Sequence, residues 1–467
     1  MAKRHFLDSF FYPSSVAIVG ASRSPLTLNY NLVSNLVKLG FRGEIYPVNP
    51  NADEILGTKA YASLKDIESE IDLVVSAVPA RMTLGIVKQC VEKKVKGVVL
   101  VAGGFSEANE RGRRVQDEIA HLLKQAGIRA IGPNALSPIN SSNNLVVSFL
   151  PVERLTRGGV SFVFQSGLYD PRLNWILSDF HLGISKLIDL GNKMDINEVD
   201  ALEYLAQDLD TKVIAMHLET LKGDGKKFMR LLETTSKAKP IVVLKSGRSI
   251  AGAKAAASHT GSIVRESDAV FDAVLKQVGV LRAQTVEDFF DFAKAFGFLT
   301  PPSGNRIVVS SLAGGEGVIA TDICQQDGFS MAKPNRRTFG KLRAFFPPWE
   351  IPLNPFDMGV CTQFHLTSEV YRVFLESMVG DENVDCLAVG LPPFFPSFGT
   401  DEALRPFLLG KEKGKPLVLW PHAMTESLHA VVEKLELNSV PVYPSAARAI
   451  RALSVVYKYK RIQERAA

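Results

Sequence analysis

The 467-residue chain is poor in cysteine, and the little it has is scattered. Cys90, Cys324, Cys361 and Cys386 are its four cysteines and form no C-x-x-C pair. That spacing indicates neither a zinc site nor a disulfide framework. No apolar run reaches about 18 residues, so no membrane-spanning helix is expected. Met1 to Asp8 lacks the apolar stretch of a signal peptide, and a cytoplasmic location is expected. Neither sign of charge dominates. Lys and Arg number 54 against 49 Asp and Glu, a net charge of +5 without a basic cluster. This argues against a nucleic-acid partner and leaves room for a small anionic ligand.

Hydrophobic residues make up 46% and charged residues 22%, as in an ordinary globular protein. The length is too great for one core and predicts about three domains. Residues 1–150 alternate strand and helix. Strands are expected at Ser15–Val19, Glu44–Val48, Asp72–Val78, Gly97–Val101 and Ile128–Ile131. Helices are expected at Asn29–Lys38, Met82–Lys93 and Glu110–Gln125. Such alternation predicts a parallel, doubly wound sheet that binds ligands at the carboxyl ends of its strands. The first turn, Gly20-Ala21-Ser22-Arg23, lacks the second and third glycines of G-x-G-x-x-G. Pro47-Val48-Asn49-Pro50 closes the second strand without an acidic residue. Both absences count against a nicotinamide dinucleotide and its ribose-diol clamp. A nucleotide with an extra phosphate, such as coenzyme A, fits better, with Ser22 and Arg23 meeting phosphate at the helix start. Further strand-end loops follow at Ala77-Val78-Pro79, Ala102-Gly103-Gly104 and Gly132-Pro133-Asn134.

Residues 151–300 repeat the alternation. The Val160–Phe164 strand ends in Gln165-Ser166-Gly167, which offers free N–H groups to an anion if a helix follows. Strands at Ile184–Asp189, Val213–Glu219 and Pro240–Lys245 come next, with Gly191-Asn192-Lys193-Met194-Asp195 and the helix Glu198–Ala206 among them. The last strand feeds Ser258-His259-Thr260-Gly261-Ser262, a histidine among small residues that suggest a mobile loop. His259 is either a covalent phosphoryl carrier or a loop histidine bonded to its neighbours. Glu219, at a neighbouring strand end, is a candidate to hold or deprotonate it. Gln165-Ser166-Gly167, Glu219 and His259 are expected to converge on one sheet edge, which favours the carrier.

Taken in order, Val19-Gly20-Ala21-Ser22, Val48-Asn49-Pro50, Ser76-Ala77-Val78-Pro79-Ala80, Gly132-Pro133-Asn134, Gln165-Ser166-Gly167, Gly191-Asn192-Lys193-Met194-Asp195, Leu218-Glu219 and Ser258-His259-Thr260-Gly261-Ser262 resemble the alpha subunit of the nucleoside-diphosphate-forming acyl-CoA synthetases. The set resembles the ADP-forming acetyl-CoA synthetases and, more distantly, the succinyl-CoA synthetase alpha subunit. The resemblance implies a CoA-binding Rossmann-like domain followed by two flavodoxin-like ligase domains, at 1–150, 151–300 and 301–467. It implies that acyl-CoA and phosphate give an acyl phosphate, whose phosphoryl group passes to His259 and then to ADP. Glu219 is the matching carboxylate. Gly20, Ala21, Ser22, Arg23, Val48, Asn49, Val78, Pro79 and Gly103 would line coenzyme A. Gly132, Pro133, Asn134, Gln165, Ser166 and Gly167 would surround the acyl and phosphoryl groups. Two departures fall beside that acyl site. Ala135 and Ser137 stand where the family carries cysteine and glycine, and Leu168-Tyr169-Asp170-Pro171 replaces smaller residues.

After the linker Thr300–Gly304, strands are expected at Arg306–Ser311, Asp385–Gly390, Pro416–Trp420 and Val440–Tyr443. Ser311-Leu312-Ala313-Gly314-Gly315-Glu316-Gly317 resembles a family glycine turn, with Leu312 in place of asparagine. No stretch resembles an ATP-grasp domain. The resemblance therefore implies a separate ATP-grasp beta subunit that brings magnesium and ADP or ATP, in an assembly such as α2β2. The competing readings are a non-catalytic CoA-binding or regulatory homologue and, less favoured, an NAD(P)-dependent oxidoreductase.

Overall fold

The computed structural model describes residues 5–260, 267–350, 353–392 and 401–466, with the backbone alone at 257–260 and 466. Two compact units divide the chain, Met1–Gln284 and Thr285–Ala467. The first contains two large sheets. One has five parallel strands in the order Glu44–Val48, Ser15–Val19, Leu73–Ser76, Gly97–Leu100, Arg129–Ile131. Its central strands are unbroken runs of small and β-branched apolar residues, all buried, as a sheet covered on both faces requires. After Ser15–Val19 the chain crosses to one side through the Leu28–Leu39 helix and then returns to the other. This leaves a crevice between the carboxyl ends at Val19 and Ser76.

The second sheet has seven strands. Leu281–Ala283, Ile241–Lys245, Val213–Leu218, Arg157–Phe164 and Ile184–Asp189 run parallel, and the hairpin Ile139–Asn140 with Leu145–Val146 adds antiparallel strands at the edge. Phe164 pairs with Asp189 on one side and His217 on the other, so the ends of three strands open together. After Ser166 the chain forms a six-residue 3-10 turn, Gly167–Arg172, and then a π turn, Trp175–Asp179. A regular helix cannot start there because Pro171 lacks an N–H to continue it.

The segment expected as a loop at His259 is helical over Ile250–Thr260. Its five alanines are strong helix formers, and they outweigh Gly252. The side chain of His259 and all of Gly261 and Ser262 lie outside the described residues.

In the second unit the parallel strands run Ser330–Met331, Arg306–Ser311, Cys386–Leu391, Leu417–Pro421, with Phe356–Asp357 also beside Arg306–Ser311. The expected strand Val440–Tyr443 is reduced to a bridge between Leu419 and Val442, because Pro441 has no N–H to continue a ladder. No described helix is long and apolar enough to cross a membrane.

The second unit encloses an ion pair. The ammonium of Lys294 on helix Val286–Phe298 meets Glu436, and both side chains are 1% exposed. The same carboxylate accepts the Val442 N–H at 3.0 Å. Burial pulls the Lys294 pKa down, and Glu436 opposes that pull. Removing one partner strands the other charge in the core. Lys294→Met is therefore expected to lower unfolding stability by about 3–5 kcal/mol, and Lys294→Met with Glu436→Leu to recover most of that loss. Denaturant unfolding of the wild type and both variants checks this.

Candidate functional site

The first crevice is shaped by close backbone approach. Gly20 has a φ of +86°, and a Cβ there would lie 3.1 Å from both the Ala77 carbonyl and Val78. Two asparagines fasten the turn. Asn29 Nδ2 donates to the carbonyls of Gly20 (2.8 Å) and Ala77 (3.1 Å), and Asn49 Nδ2 donates to the carbonyl of Ala21 (2.8 Å). Ala21, Val48 and Val78 are buried beneath the turn, while Ser22 is partly exposed and Arg23 and Pro79 are exposed. The following helix, Leu28–Leu39, has no side-chain cap and no acidic residue in its first turn, so its positive end meets no carboxylate of its own, although the Tyr30 N–H donates to Thr27 O (3.1 Å). This edge is built for an anionic ligand.

Next to it three loops interlock. The Asn134 N–H donates to Ala102 O (3.0 Å), Asn192 N–H to Pro133 O (2.9 Å) and Met194 N–H to Gly132 O (2.9 Å). Gly191, at a φ of +53°, is obligatory. A Cβ there would fall 2.3 Å from the Pro133 carbonyl oxygen. Gly103 sits exposed beside Asn134 and Glu107. Burial pushes the Glu107 carboxyl up, but N–H groups of its own loop and Asn192 outweigh that effect and hold it below the usual range. Its Oε2 accepts from Asn192 Nδ2, so Glu107 joins the Gly103 loop to the Gly191–Asp195 turn.

At the second crevice the amide of Gln165, 1% exposed, gathers the strand ends. Its Oε1 accepts the N–H groups of Glu219 (2.9 Å) and Thr220 (3.0 Å) and the ammonium of Lys193 (3.0 Å). Its Nε2 donates to Thr220 Oγ1 at 2.9 Å. Lys193 also donates to Thr220 O (2.6 Å) and pairs with Glu198 at 2.9 Å, with both side chains essentially unexposed. Burial raises the Glu198 carboxyl, yet Lys193 and the Gly223 N–H outweigh it and keep it ionised. Glu219 is 6% exposed, and its carbonyl accepts from Lys245 Nζ at 2.6 Å. Ser166 and Gly167 lie at the open side. The structure thus brings the Gln165 amide to the Glu219 N–H, sets Asn134 against Gly103, and sets Gly132 and Pro133 against the Gly191–Asp195 turn.

Asp189 ends the strand between these two groups. It is fully buried, and it accepts the N–H groups of Leu136 (2.9 Å) and Gly191 (3.2 Å). Burial raises its pKa to about 7 despite those donors, and the neighbouring charges of Asp170 and Glu219 push the same way. The sequence assigns no role to Lys193, Glu198 or Asp189. The signal for the first two was present, as a lysine directly after a Gly-Asn turn with a glutamate five residues on at a helix start. Such a pair folds inward because the turn holds Lys193 at a φ of +53°.

Residues 14–139 match the family model of a CoA binding domain, and residues 157–296 that of a succinyl-CoA ligase like flavodoxin domain. The acetate–CoA ligase (ADP-forming) II subunit alpha of Pyrococcus furiosus is 36% identical over 94% of this chain and 94% of its own length. The acetate–CoA ligase (ADP-forming) II of Archaeoglobus fulgidus is 34% identical over 98% of this chain but only 68% of its own. The dinucleotide forming acetyl-coenzyme A synthetase 1 of Ca. Korarchaeum cryptofilum, solved with phosphate and ADP, superposes with a TM-score of 0.86 at 32% identity, covering 98% of this chain and 97% of that one. With likeness of this extent in sequence and fold, and two crevices on the matched domains, the chain belongs to the ADP-forming acetate–CoA ligase family and corresponds in length to its alpha subunit.

Proposed function

We propose that this chain holds coenzyme A at its first crevice and carries a phosphoryl group on His259, serving an acyl-CoA ligase that interconverts acyl-CoA, ADP and phosphate with carboxylic acid, coenzyme A and ATP. The observation that supports the reading is the Gln165 amide, which holds the Glu219 N–H at the strand ends of the second crevice, within the same compact unit as the first. Residues 1–150 serve coenzyme A, 151–300 the phosphoryl carrier and 301–467 a further ligase domain. Gly20, Ala21, Ser22, Arg23, Val48, Asn49, Val78, Pro79 and Gly103 fit an anionic, phosphate-rich ligand through the close turn at Gly20 and the open helix end beyond it.

Phosphate attacks the thioester carbonyl, the C–S bond breaks, and acyl phosphate and coenzyme A result. The imidazole of His259 then attacks phosphorus, and the acid departs as carboxylate. Transfer to ADP gives ATP. The attack needs a neutral, oriented imidazole, which is the part given to Glu219. Backbone N–H groups at Ser166–Gly167 meet the spread charge of the transferring group, and Gly132, Pro133 and Asn134 form the turn beside the acyl group. Magnesium and the nucleotide come with an ATP-grasp beta chain, and an α2β2 assembly in the cytoplasm accommodates both, with neither nucleic acid nor membrane as partner.

Asp189 adds a dependence on pH. Its carboxyl is protonated in acid, and above about pH 7 it places a buried negative charge near Glu219. A carboxyl whose folded-state pKa is raised stabilises least when it is ionised. Its contribution is therefore lost as pH rises from the ordinary carboxylate range to about 7.

Incubating the chain with ATP, magnesium and its ATP-grasp partner is expected to add one acid-labile phosphate, visible by intact mass and absent from His259→Ala. Glu219→Gln is expected to slow that labelling about 10²-fold. A label that survives His259→Ala overturns the reading. Between pH 5 and 7 the unfolding free energy of the wild type is expected to fall relative to Asp189→Asn by up to about 1.4 kcal/mol per pH unit, measured by denaturant titration at each pH.

A further inference from the structure

We infer that His217 is a positioning residue for phosphoryl transfer, fixing through Ser246 the root of the helix that carries His259. The inference rests on the carrier role proposed above. Strand Val213–Leu218 is an apolar run broken once, by His217, which is 3% exposed. An aliphatic side chain would bury there without loss, whereas an imidazole must find a polar partner. Its Nε2 lies 2.7 Å from Ser246 Oγ, and either group can donate. Strand pairing sets this contact up. His217 stands opposite Leu244 on the neighbouring strand, so its ring reaches the residue just past that strand's end. The His217 carbonyl accepts the Gln165 N–H at 3.2 Å, which fixes the bearing strand to the centre of the second crevice.

Ser246 is held at all three of its polar groups. Its N–H donates to Leu218 O (2.9 Å), its carbonyl accepts from Lys245 Nζ (2.9 Å), and its hydroxyl meets His217. The same ammonium donates to the carbonyl of Glu219 at 2.6 Å. Lys245 thus ties the root of the His259 segment to the residue proposed to orient its imidazole. The chain then turns sharply. Gly247 has a φ of +70°, and a Cβ there would stand 3.4 Å from that of Ala256, so the helix folds back against its own root. Arg248 Nη1 donates to Gln284 Oε1 at 2.6 Å, and Ser249 Oγ accepts the Gly252 N–H at 3.0 Å inside the first turn. While Ile250–Thr260 is helical, an error at its root is carried to its far end. The Leu218 and Lys245 bonds to Ser246 continue the sheet, whereas the His217 bond is supplied by a side chain of another strand. Its loss leaves the sheet whole and loosens the root alone.

The test follows the rate of phosphate labelling by intact mass, in the full chain with ATP, magnesium and its ATP-grasp partner. It compares the wild type, Ser246→Ala, His217→Phe, His217→Gln and the double variant Ser246→Ala with His217→Phe. Coenzyme A binding by calorimetry reports that each variant is folded, and Ser246→Ala, which removes a single oxygen, serves where His217→Phe fails that check. Ser246→Ala and His217→Phe are each expected to slow labelling at saturating ATP about 10-fold, with the half-saturating ATP concentration unchanged. The double variant should be no slower than either single one, because both remove the same bond. The amide of His217→Gln reaches the Ser246 hydroxyl from near the place of Nε2, and labelling should stay within about 3-fold of the wild type. Wild-type rates in Ser246→Ala, losses that multiply in the double variant, or a glutamine variant as slow as the phenylalanine one overturn this inference alone. A wild type that takes up no phosphate overturns the proposed function and this inference with it.

Discussion

The oxygen of the Gln165 side chain accepts three donors from two different parts of the chain, and the second crevice depends on that convergence. An uncharged amide can bring an ammonium and two peptide N–H groups to one point without placing a further full charge there. A carboxylate in its place would compete with Glu198 for Lys193. The pair Lys193–Glu198 is itself enclosed, so its attraction is little screened, and every remaining donor and acceptor needs a partner. Glu198 meets that demand with the N–H groups of Lys222 (2.8 Å) and Gly223 (2.7 Å), which fixes the turn beyond Glu219 as well. One network thus places the strand end, the turn and the carboxylate together.

The first crevice is held by different means. Its loops lie so close that backbone meets backbone, and side chains take part mainly as fasteners from outside, as Asn29 and Asn49 do at the Gly20 turn. Close backbone approach leaves N–H groups turned toward a ligand, which suits phosphate better than specific side-chain recognition does. Asp189 links the two crevices, because the peptides it holds belong to the loops on either side. Its position at a strand end is rigid, and the cost of that rigidity is a carboxyl kept from water.

Much of the fold could be read from the sequence because buried parallel strands are continuous apolar runs. Ser15–Val19, Glu44–Val48, Ile184–Asp189 and Arg306–Ser311 stand where their composition placed them. Failures came where local chemistry competed with that pattern. Val440–Tyr443 has strand composition, but Pro441 interrupts its donors. The alanines before His259 look like a loop when read for size and like a helix when read for propensity, and propensity prevailed. At the site, Gln165 and Glu219 were visible as strand-end residues, since the topology of a doubly wound sheet carries such ends to one edge. Lys193 carried an unread local signal in Glu198 five residues on, and Asp189 carried none, because its role arises from its bond to Leu136, far away in sequence. Tyr169 was visible only as an oddity of composition, and its bond to Leu136 links two departures that the sequence leaves unrelated.

The helix Ile250–Thr260 has a consequence for distance. Its 11 residues span about 16 Å as a helix and reach about 36 Å when drawn out. Of the side chains from Ile250 to Ala256, only Ala256 is buried, so unwinding would release little packing. An isolated helix of this length is close to balance between coil and helix in water. The nine residues Ile250–Ser258 that precede the histidine span about 14 Å as helix and about 30 Å drawn out, so the secondary structure of the segment stores about 16 Å of chain directly before it.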